Sequence, residues 1–169
     1  MSHAAITLQP AVQRDARTIA LMSREYIEHG LAWKYDPARV QAAIRRRDTT
    51  VLTAVDRTAL AGFAMMEFGD ERAHLVLLAV RPTHRRRGIG RRMFEWLLES
   101  ALTAGVESVH LEMRAGNDAA RRFYRALGFS ETIVIPRYYS GNEAALRMIR
   151  VLRAAAPQAV AWRPPAHWR

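Results

Sequence analysis

The apolar run HLVLLAV, His74–Val80, constrains the fold more than any other segment, because a basic turn and an amphipathic helix follow it directly. A continuous run of this length is typical of a strand that is buried on both faces. The turn that follows, RPTHRRRGIG, contains two glycines. After Gly88, apolar residues recur at helical spacing as far as Ala104–Gly105. The segment predicts a central strand–turn–helix unit of an α/β domain.

The rest of the chain supplies elements on both sides of this unit. Helical spacing covers residues 12–28 and DPARVQAAIRRR, with Asp36 as the N-cap. The segments ITLQP, TTVLTAV, LAGFAMMEF, VESVHLEM, SETIVI and AALRMIRVL predict further strands, and DAARRFYRALGF predicts another helix. The predicted order is β–α–α–β–β–β–α–β–α–β–β, which is one mixed α/β domain with seven strands and four helices.

Composition excludes several classes of protein. The chain has 169 residues, half of them hydrophobic, which suits one compact domain. The absence of cysteine excludes a disulfide, a thiolate nucleophile and cysteine metal ligands, and no spacing of His, Asp or Glu predicts a metal site. The N-terminus lacks the pattern of a signal peptide, and no apolar run is long enough for a membrane span. We therefore predict a cytoplasmic protein without membrane association.

The formal net charge of +10 indicates an anionic partner. Charge alone leaves nucleic acid, a phosphorylated cofactor and an acidic protein surface open. In HRRRGIGRRM, five of the ten residues are arginines, and they cluster at the start of a helix that continues with Glu95 and Glu99. A helix that reads DNA would carry its arginines along one exposed face. This distribution argues against specific nucleic-acid binding.

A glycine-containing turn between a strand and a helix is suited to phosphate binding. Amides at a helix N-terminus are unpaired, the helix dipole favours an anion there, and glycine lets the backbone approach a ligand closely. The chain has no Gly-Lys pair, which the nucleotide P-loop requires. The dinucleotide fingerprint fails because Met93 occupies the position of its third glycine. The remaining pattern is Arg85-x-x-Gly88-x-Gly90.

With its strand and helix, the stretch AVRPTHRRRGIGRRM resembles the coenzyme-A pyrophosphate loop of the GNAT superfamily of acetyl-CoA-dependent N-acetyltransferases. The resemblance implies a mostly antiparallel sheet that splays apart to hold acyl-CoA as cosubstrate. It implies that Leu78, Ala79 and Val80 pair with the pantetheine arm. It also implies a pyrophosphate site formed by Arg85, Arg86, Arg87, Gly88, Ile89, Gly90 and Arg91.

The stretch LEMRAGNDAARRFYRALGF offers an acid and a base for acyl transfer. Glu112 shares one face of its strand with Ser108 and His110, and Tyr124 lies on the helix face that points to the sheet. A carboxylate and a phenol that meet at the open end of the sheet would serve as base and acid. Both also fit structural roles, as a solvated strand-end carboxylate and a core aromatic. His74, His110 and Glu67 are alternative assistants, although neither histidine has an obvious partner in the sequence.

Within the superfamily, this stretch resembles the bacterial ribosomal-protein alanine N-acetyltransferases. The resemblance implies that Glu112 is the general base and that Tyr124, twelve residues later, is the general acid. It also implies a coenzyme contact by Asn117 and a substrate-side tyrosine pair, Tyr138 and Tyr139. The implied acceptor is a protein N-terminus or a small-molecule amine. The alternative is a non-catalytic acyl-CoA-binding regulatory module on the same fold.

The resemblance covers residues 75–152, so the acceptor side is less defined. Trp33 and Tyr35, in the loop GLAWKYDP, are candidates for lining the acceptor site, as well as for packing in the core. We predict a domain over residues 1–153 and a proline- and tryptophan-containing tail over 154–169 that is either disordered or docked on the body or a neighbouring subunit. Whether the protein forms a homodimer is open.

Overall fold

The predicted element order is confirmed in the computed structural model, which describes residues 5–153. The elements are β1 Thr7–Pro10, α1 Ala16–Tyr26, α2 Pro37–Arg45, β2 Thr49–Asp56, β3 Ala59–Phe68, β4 Arg72–Val80, α3 Ile89–Ala104, β5 Ser108–Arg114, α4 Asp118–Ala126, β6 Ser130–Tyr139 and β7 Glu143–Val151. The tail over 154–169 lies outside the described residues, so the domain boundary at 153 stays a prediction.

Local sequence signals set the ends of the helices. The Asp36 carboxylate accepts a hydrogen bond from the Arg39 backbone N–H at 2.8 Å and so caps α2, as predicted. The Asn117 amide oxygen caps α4 in the same way through the Ala120 N–H, at 3.1 Å. Helix α3 ends at Gly105, whose φ of +79° is a left-handed conformation that glycine adopts without strain.

The seven strands form one sheet in the order β1-β2-β3-β4-β5-β7-β6. Every neighbouring pair is antiparallel except β4 and β5. These two strands are parallel and share only three residue pairs, of which the last joins His74 to His110. Beyond that pair the sheet is open between β4 and β5, which confirms the splayed sheet that the resemblance implies.

A bulge in β4 lies where the two strands part. Leu75 pairs with Met66 and Leu77 with Met65, so Val76 has no partner residue on β3. Because one extra residue reverses the alternation of side chains, Leu75 and Leu77 point to opposite faces of the sheet. Leu75 belongs to one hydrophobic core and Leu77 to the other.

The two cores lie on the two faces of the sheet. Helices α1 and α2 cover one face, with Ile19, Met22 and Val40 buried against Phe63 and Met65. Helices α3 and α4 cover the other face. The core beneath them includes Phe94, Leu97, Leu111, Phe129 and Leu146. Among the described residues, no helix is long and apolar enough to cross a membrane.

Helix α3 provides a test of this packing. Leu97 is fully buried in the core under α3, whereas Leu102 on the same helix is 43% exposed. We expect Leu97→Ala to lower the free energy of unfolding by about 2–5 kcal/mol, because it removes buried apolar contacts and leaves a cavity. Leu102→Ala, the matched control, should change it by about 0.5 kcal/mol or less. Urea denaturation measures both, and equal losses would contradict this arrangement.

Candidate active site

The turn between β4 and α3 presents a row of free backbone donors. Within the described part of the chain, none of the N–H groups of residues 86–91 donates a hydrogen bond to another protein group. The first bond of α3 comes later, from the Arg92 N–H to the Gly88 carbonyl at 3.0 Å. Unpaired amides at a helix start, with the positive end of the helix dipole behind them, favour an anion.

The two glycines of the turn serve different purposes. Gly88 has a φ of +73° with open space around its Cα, so it is required for its backbone conformation. At Gly90, a Cβ would lie 3.1 Å from Cζ of Phe123 on α4, so a side chain there would require the Phe123 ring to shift. Gly90 therefore gives room to the Phe123 ring, and the approach of a ligand to the two glycines stays a prediction.

Most of the arginines in the turn have partners within the protein. The Arg85 Nε donates to the Val80 carbonyl at 3.0 Å, and an Arg92 terminal nitrogen donates to the Ile6 carbonyl at 3.0 Å. Arg87 lies 3.8 Å from Asp56, and Arg91 lies 3.6 Å from Glu95. These contacts show that some of the arginines stabilise the turn through protein partners and are not reserved for a ligand.

A charged cleft of about 550 Å³ opens on the α1/α2 face of the sheet, beside the last residue pair of β4 and β5. Its acids and arginines are largely matched. Arg46 pairs with Asp48 at 2.8 Å and lies 3.6 Å from Glu67, while Arg147 pairs with Glu112. The charged and titratable lining consists of Arg46, Asp48, Glu67, Arg72, His74, His110, Glu112 and Arg147.

Glu112 is the most enclosed of these groups, with its side chain 12% exposed. Its Oε2 lies 2.6 Å from His74 Nε2, and its Oε1 accepts a hydrogen bond from Arg147 Nε at 3.0 Å. The pKa of Glu112 lies below its ordinary value, against the effect of burial. The main cause is the hydrogen bond with His74, followed by the charge of His74 and the hydrogen bond from Arg147. Glu112 is therefore a fixed carboxylate anion at neutral pH.

Tyr124 lies on the other face of the sheet. Its ring packs in the core under α3 and α4, edge-on to Phe123 and Phe129, with centroid distances of 5.1 and 5.7 Å. Burial raises its pKa far above the usual value, so the phenol stays protonated. The hydrogen bonds of Glu112 go to His74 and Arg147 and not to Tyr124, and the pairing of Glu112 with Tyr124 as base and acid stays a prediction. Glu112 lies beside the charged cleft on the α1/α2 face, whereas Tyr124 lies on the face that α3 and α4 cover.

The tyrosine pair lies close to both groups. Tyr138 and Tyr139 pack edge-on with ring centroids 4.9 Å apart. The pKa of Tyr139 is raised to about 12, mainly by burial and then by the neighbouring Tyr138 and Glu112. After burial, Tyr139 is the other cause that raises the pKa of Tyr124. Glu112 also raises the pKa of Tyr138. The pair thus lies near Glu112, and its contact with a substrate stays a prediction.

The two aromatic candidates from the loop before α2 have different neighbours. The Trp33 indole N–H donates to the Ala20 carbonyl of α1 at 3.2 Å, and Arg24 lies over its ring. This residue fixes the loop to α1. Arg39 of α2 lies over the Tyr35 ring, 4.8 Å from its centroid. Burial raises the pKa of Tyr35 against the charge of Arg39, and the charge of Glu67 in the cleft raises it further.

Two arginines of the site were missed by the sequence reasoning. Arg147 is the cross-strand partner of Glu112. Arg114 donates to Glu143 at 2.9 Å and to the carbonyls of Ile27 and His29, so it ties β5 and the start of β7 to the loop after α1. In the sequence, each of these arginines lies in a strand that carries other charges as well, and this does not reveal strand register.

A seven-stranded sheet that parts between β4 and β5, beside such a turn, is the fold of N-acetyltransferases. A solved structure of the ribosomal-protein-S18-alanine N-acetyltransferase from Escherichia coli has a TM-score of 0.74 and 26% identity, over 91% of this chain and 98% of that one. Ard1 from Thermoplasma volcanium has a TM-score of 0.77 and 25% identity, over 89% and 99%. The model of the acetyltransferase (GNAT) family matches residues 16–129. The chain belongs to this family.

Sequence comparison also finds relatives with a named activity. A [ribosomal protein bS18]-alanine N-acetyltransferase of Salmonella typhimurium is 41% identical over 100 residues, which are 57% of this chain and 66% of that protein. The Escherichia coli K12 protein of the same name is 37% identical over 92 residues, 53% and 62% of the two chains. Each match spans slightly less than two thirds of the relative. These findings confirm the resemblance on which the prediction of the family depended.

The two contacts of Glu112 should make stability depend on pH. Because folding lowers the pKa of Glu112 below its ordinary 4.5, its contribution is fully present above about pH 4.5 and is lost as the pH falls through the lowered value. We expect Glu112→Gln to destabilise the protein at pH 7 by about 1 kcal/mol. This difference from wild type should shrink towards pH 3.5 in urea titrations. The exposed control Glu99→Gln should show no such trend, and a pH-independent difference for Glu112→Gln would contradict the assignment.

Proposed function

We propose that the protein transfers an acetyl group from acetyl-CoA to a primary amine, by direct attack in a ternary complex. The observation that carries the proposal is the row of unpaired amides at residues 86–91, from which β4 leads back to a gap with Glu112 on one face and Tyr124 on the other. A covalent cysteinyl intermediate is excluded because the chain has no cysteine.

The donor side follows from the turn and from β4. The amides of residues 86–91 suit a pyrophosphate, and the Arg86 side chain, which forms no hydrogen bond or ion pair within residues 5–153, is free to approach it. Beyond His74, the edge of β4 facing β5 has no strand partner, and we propose that the backbone of Leu78, Ala79 and Val80 hydrogen-bonds the pantetheine arm there. The Asn117 amide oxygen is engaged as the cap of α4, which leaves its NH₂ group for the coenzyme.

The gap supplies the acid and the base for the transfer. The amine nitrogen attacks the thioester carbonyl carbon, a C–N bond forms, and the C–S bond breaks. The base function depends on Glu112, whose lowered pKa keeps it as an anion in the charged cleft. Tyr124 protonates the departing thiolate, since its raised pKa keeps it in the protonated form that an acid requires. Opposite faces of the sheet thus serve the two proton transfers.

An α-amine is the acceptor that this chemistry favours. With a pKa of about 8 it is neutral in roughly a tenth of molecules at pH 7, whereas a lysine amine near 10.4 is neutral in about one of several thousand. The relatives named as acting on the alanine of ribosomal protein bS18 support a protein N-terminus, with N-terminal alanine the first choice to test. Small-molecule amines are the second class.

A panel of acceptors tests the proposal. Purified protein and acetyl-CoA would be incubated with peptides that begin with alanine, with the same peptides already N-acetylated, and with small amines. Thiol release and mass spectrometry report transfer. We expect transfer to free α-amines and none to the blocked peptides. Acetyl-CoA binding without transfer to any acceptor would instead indicate the non-catalytic acyl-CoA-binding module.

The proton-transfer roles predict a loss of turnover without a loss of donor binding. We expect Glu112→Gln and Tyr124→Phe each to lower kcat at least about tenfold, because a positioned acid or base contributes about 10²–10⁴-fold. Isothermal titration should give each variant the acetyl-CoA affinity of wild type. Glu99→Gln, on the exposed face of α3, is the control for removing a carboxylate. Unchanged kcat in both variants would contradict the mechanism.

The unpaired amides of residues 86–91 predict that a substitution at Gly88 weakens donor binding, whereas the same substitution at Gly105, at the other end of α3, does not. Gly88 and Gly105 have φ of +73° and +79°, and each has open space around its Cα. Ala at either position should cost about 1–2 kcal/mol of stability, because the left-handed conformation is strained. Only Gly88→Ala should weaken acetyl-CoA binding, by about tenfold or more, measured by titration calorimetry. An equal loss of affinity in Gly105→Ala would contradict a donor site at the turn.

A further inference from the structure

His74 stands between Glu112 and the open part of the charged cleft. It is the last residue of β4 that pairs with β5, and its Nε2 lies 2.6 Å from Glu112 Oε2. The imidazole is 43% exposed, whereas the carboxylate is 12% exposed. A molecule that enters the cleft therefore reaches the histidine before it reaches the carboxylate.

The carboxylate itself is poorly placed to take a proton from an amine. One of its oxygens accepts from Arg147 and the other is engaged by His74, so a direct approach must displace one of them. These same contacts favour the anion over the protonated acid. A carboxylate stabilised in this way is a weak base, but it can orient an imidazole and stabilise the imidazolium that forms.

The hydrogen bond to Glu112 also decides which ring nitrogen is available. When Nε2 carries the proton that it donates to the carboxylate, the lone pair lies on Nδ1. Within residues 5–153, His74 Nδ1 makes no hydrogen bond to another protein group. The other histidine of the cleft differs, because His110 Nε2 is engaged by the Ser108 hydroxyl at 2.9 Å.

We propose that His74 is the catalytic base, accepting the proton of the acceptor amine at Nδ1, and that Glu112 acts through it as a positioning residue. The inference deepens the proposed function and rests on it. The amine forms a C–N bond to the acetyl carbon, and its proton moves to His74 Nδ1. The C–S bond breaks and the thiolate takes a proton from Tyr124. His74 then releases its proton to solvent, and Tyr124 regains one from there, so the net products are the acetamide and the free thiol of coenzyme A.

The charges around His74 come from every strand that borders the cleft. Glu67 on β3 is its cross-strand partner, and His110 and Glu112 lie on β5. Burial, and then the charge of Arg72, lower the pKa of His110, which keeps that ring neutral. The remaining charged groups that face the cleft are Arg46, Asp48, Arg72 and Arg147. With Arg46 paired to Asp48 and Arg147 to Glu112, no excess of one sign dominates the site of His74.

The pH dependence of kcat/KM for a peptide acceptor tests the inference. The acceptor α-amine must lose a proton with a pKa of about 8, and His74 must be neutral to accept one. We expect log kcat/KM to rise with a slope of two at the acid end of the profile and with a slope of one over the last stretch below about pH 8. In His74→Ala the slope should be one throughout, kcat/KM at pH 7 should fall at least tenfold, and added imidazole should restore part of the activity.

Two further variants separate the roles. Glu112→Gln should lower kcat but keep the change of slope, since it retains the base and loses only its orientation. His110→Ala tests the competing base, and it too should keep the change of slope. Thermal unfolding and acetyl-CoA titration of each variant confirm that the fold and the donor site persist.

The outcomes are distinguishable. A wild-type slope of one throughout, or a change of slope that is lost in His110→Ala instead of His74→Ala, would overturn the role of His74 while leaving acetyl transfer intact. Survival of wild-type kcat/KM in His74→Ala would do the same. A wild-type protein that transfers no acetyl group to any acceptor would overturn the proposed function, and with it the inference.

Discussion

The rest of the site depends on one constraint, the early parting of β4 from β5. Three residue pairs hold the two parallel strands together, and the bulge at Val76 lies just beyond the last of them. An open gap in a sheet leaves backbone donors and acceptors unpaired, which is costly unless a ligand or water satisfies them. Before the bulge, His74 lies over the cleft on the α1/α2 face and Leu75 is buried under α3 and α4. After the bulge, Leu77 points to the α1/α2 face instead of the face of Leu75.

The electrostatics of the two ends of β4 differ in kind. At the turn, positive charge is in excess, and backbone amides without protein partners point to a polyanion. At the cleft, acids and arginines are paired, so their charges largely cancel. The cleft therefore offers a substrate particular hydrogen-bonding atoms rather than an excess of charge of one sign. Such a division suits a reaction in which one substrate is recognised by its phosphates and the other by the geometry of a single nitrogen.

Much of the fold could be predicted from the sequence because its signals are local. The caps Asp36 and Asn117 and the stop at Gly105 each depend on residues within one turn. The partners of Glu112 could not be predicted, because Arg147 is brought to it by the register of β5 with β7, and His74 by that of β4 with β5. The role of Gly90 was also hidden, since Phe123 reaches it from another helix. Long-range register, and not local preference, decides these contacts.

In the proposed mechanism, the base and the acid lie on opposite faces of the sheet, which limits how the substrates can enter. If Glu112 and Tyr124 touched, each would perturb the other directly and the reacting carbonyl would have to approach them from one side. In the proposed mechanism, a thioester lying in the gap would present one face of its carbonyl to the cleft and its sulfur to the side of Tyr124. The amine would then arrive on the α1/α2 side and the thiolate would depart on the side of Tyr124, so the two proton transfers would not compete for the same group. The loop that Trp33 and Arg114 fix beside the cleft is accordingly where residues that distinguish one amine from another should be sought.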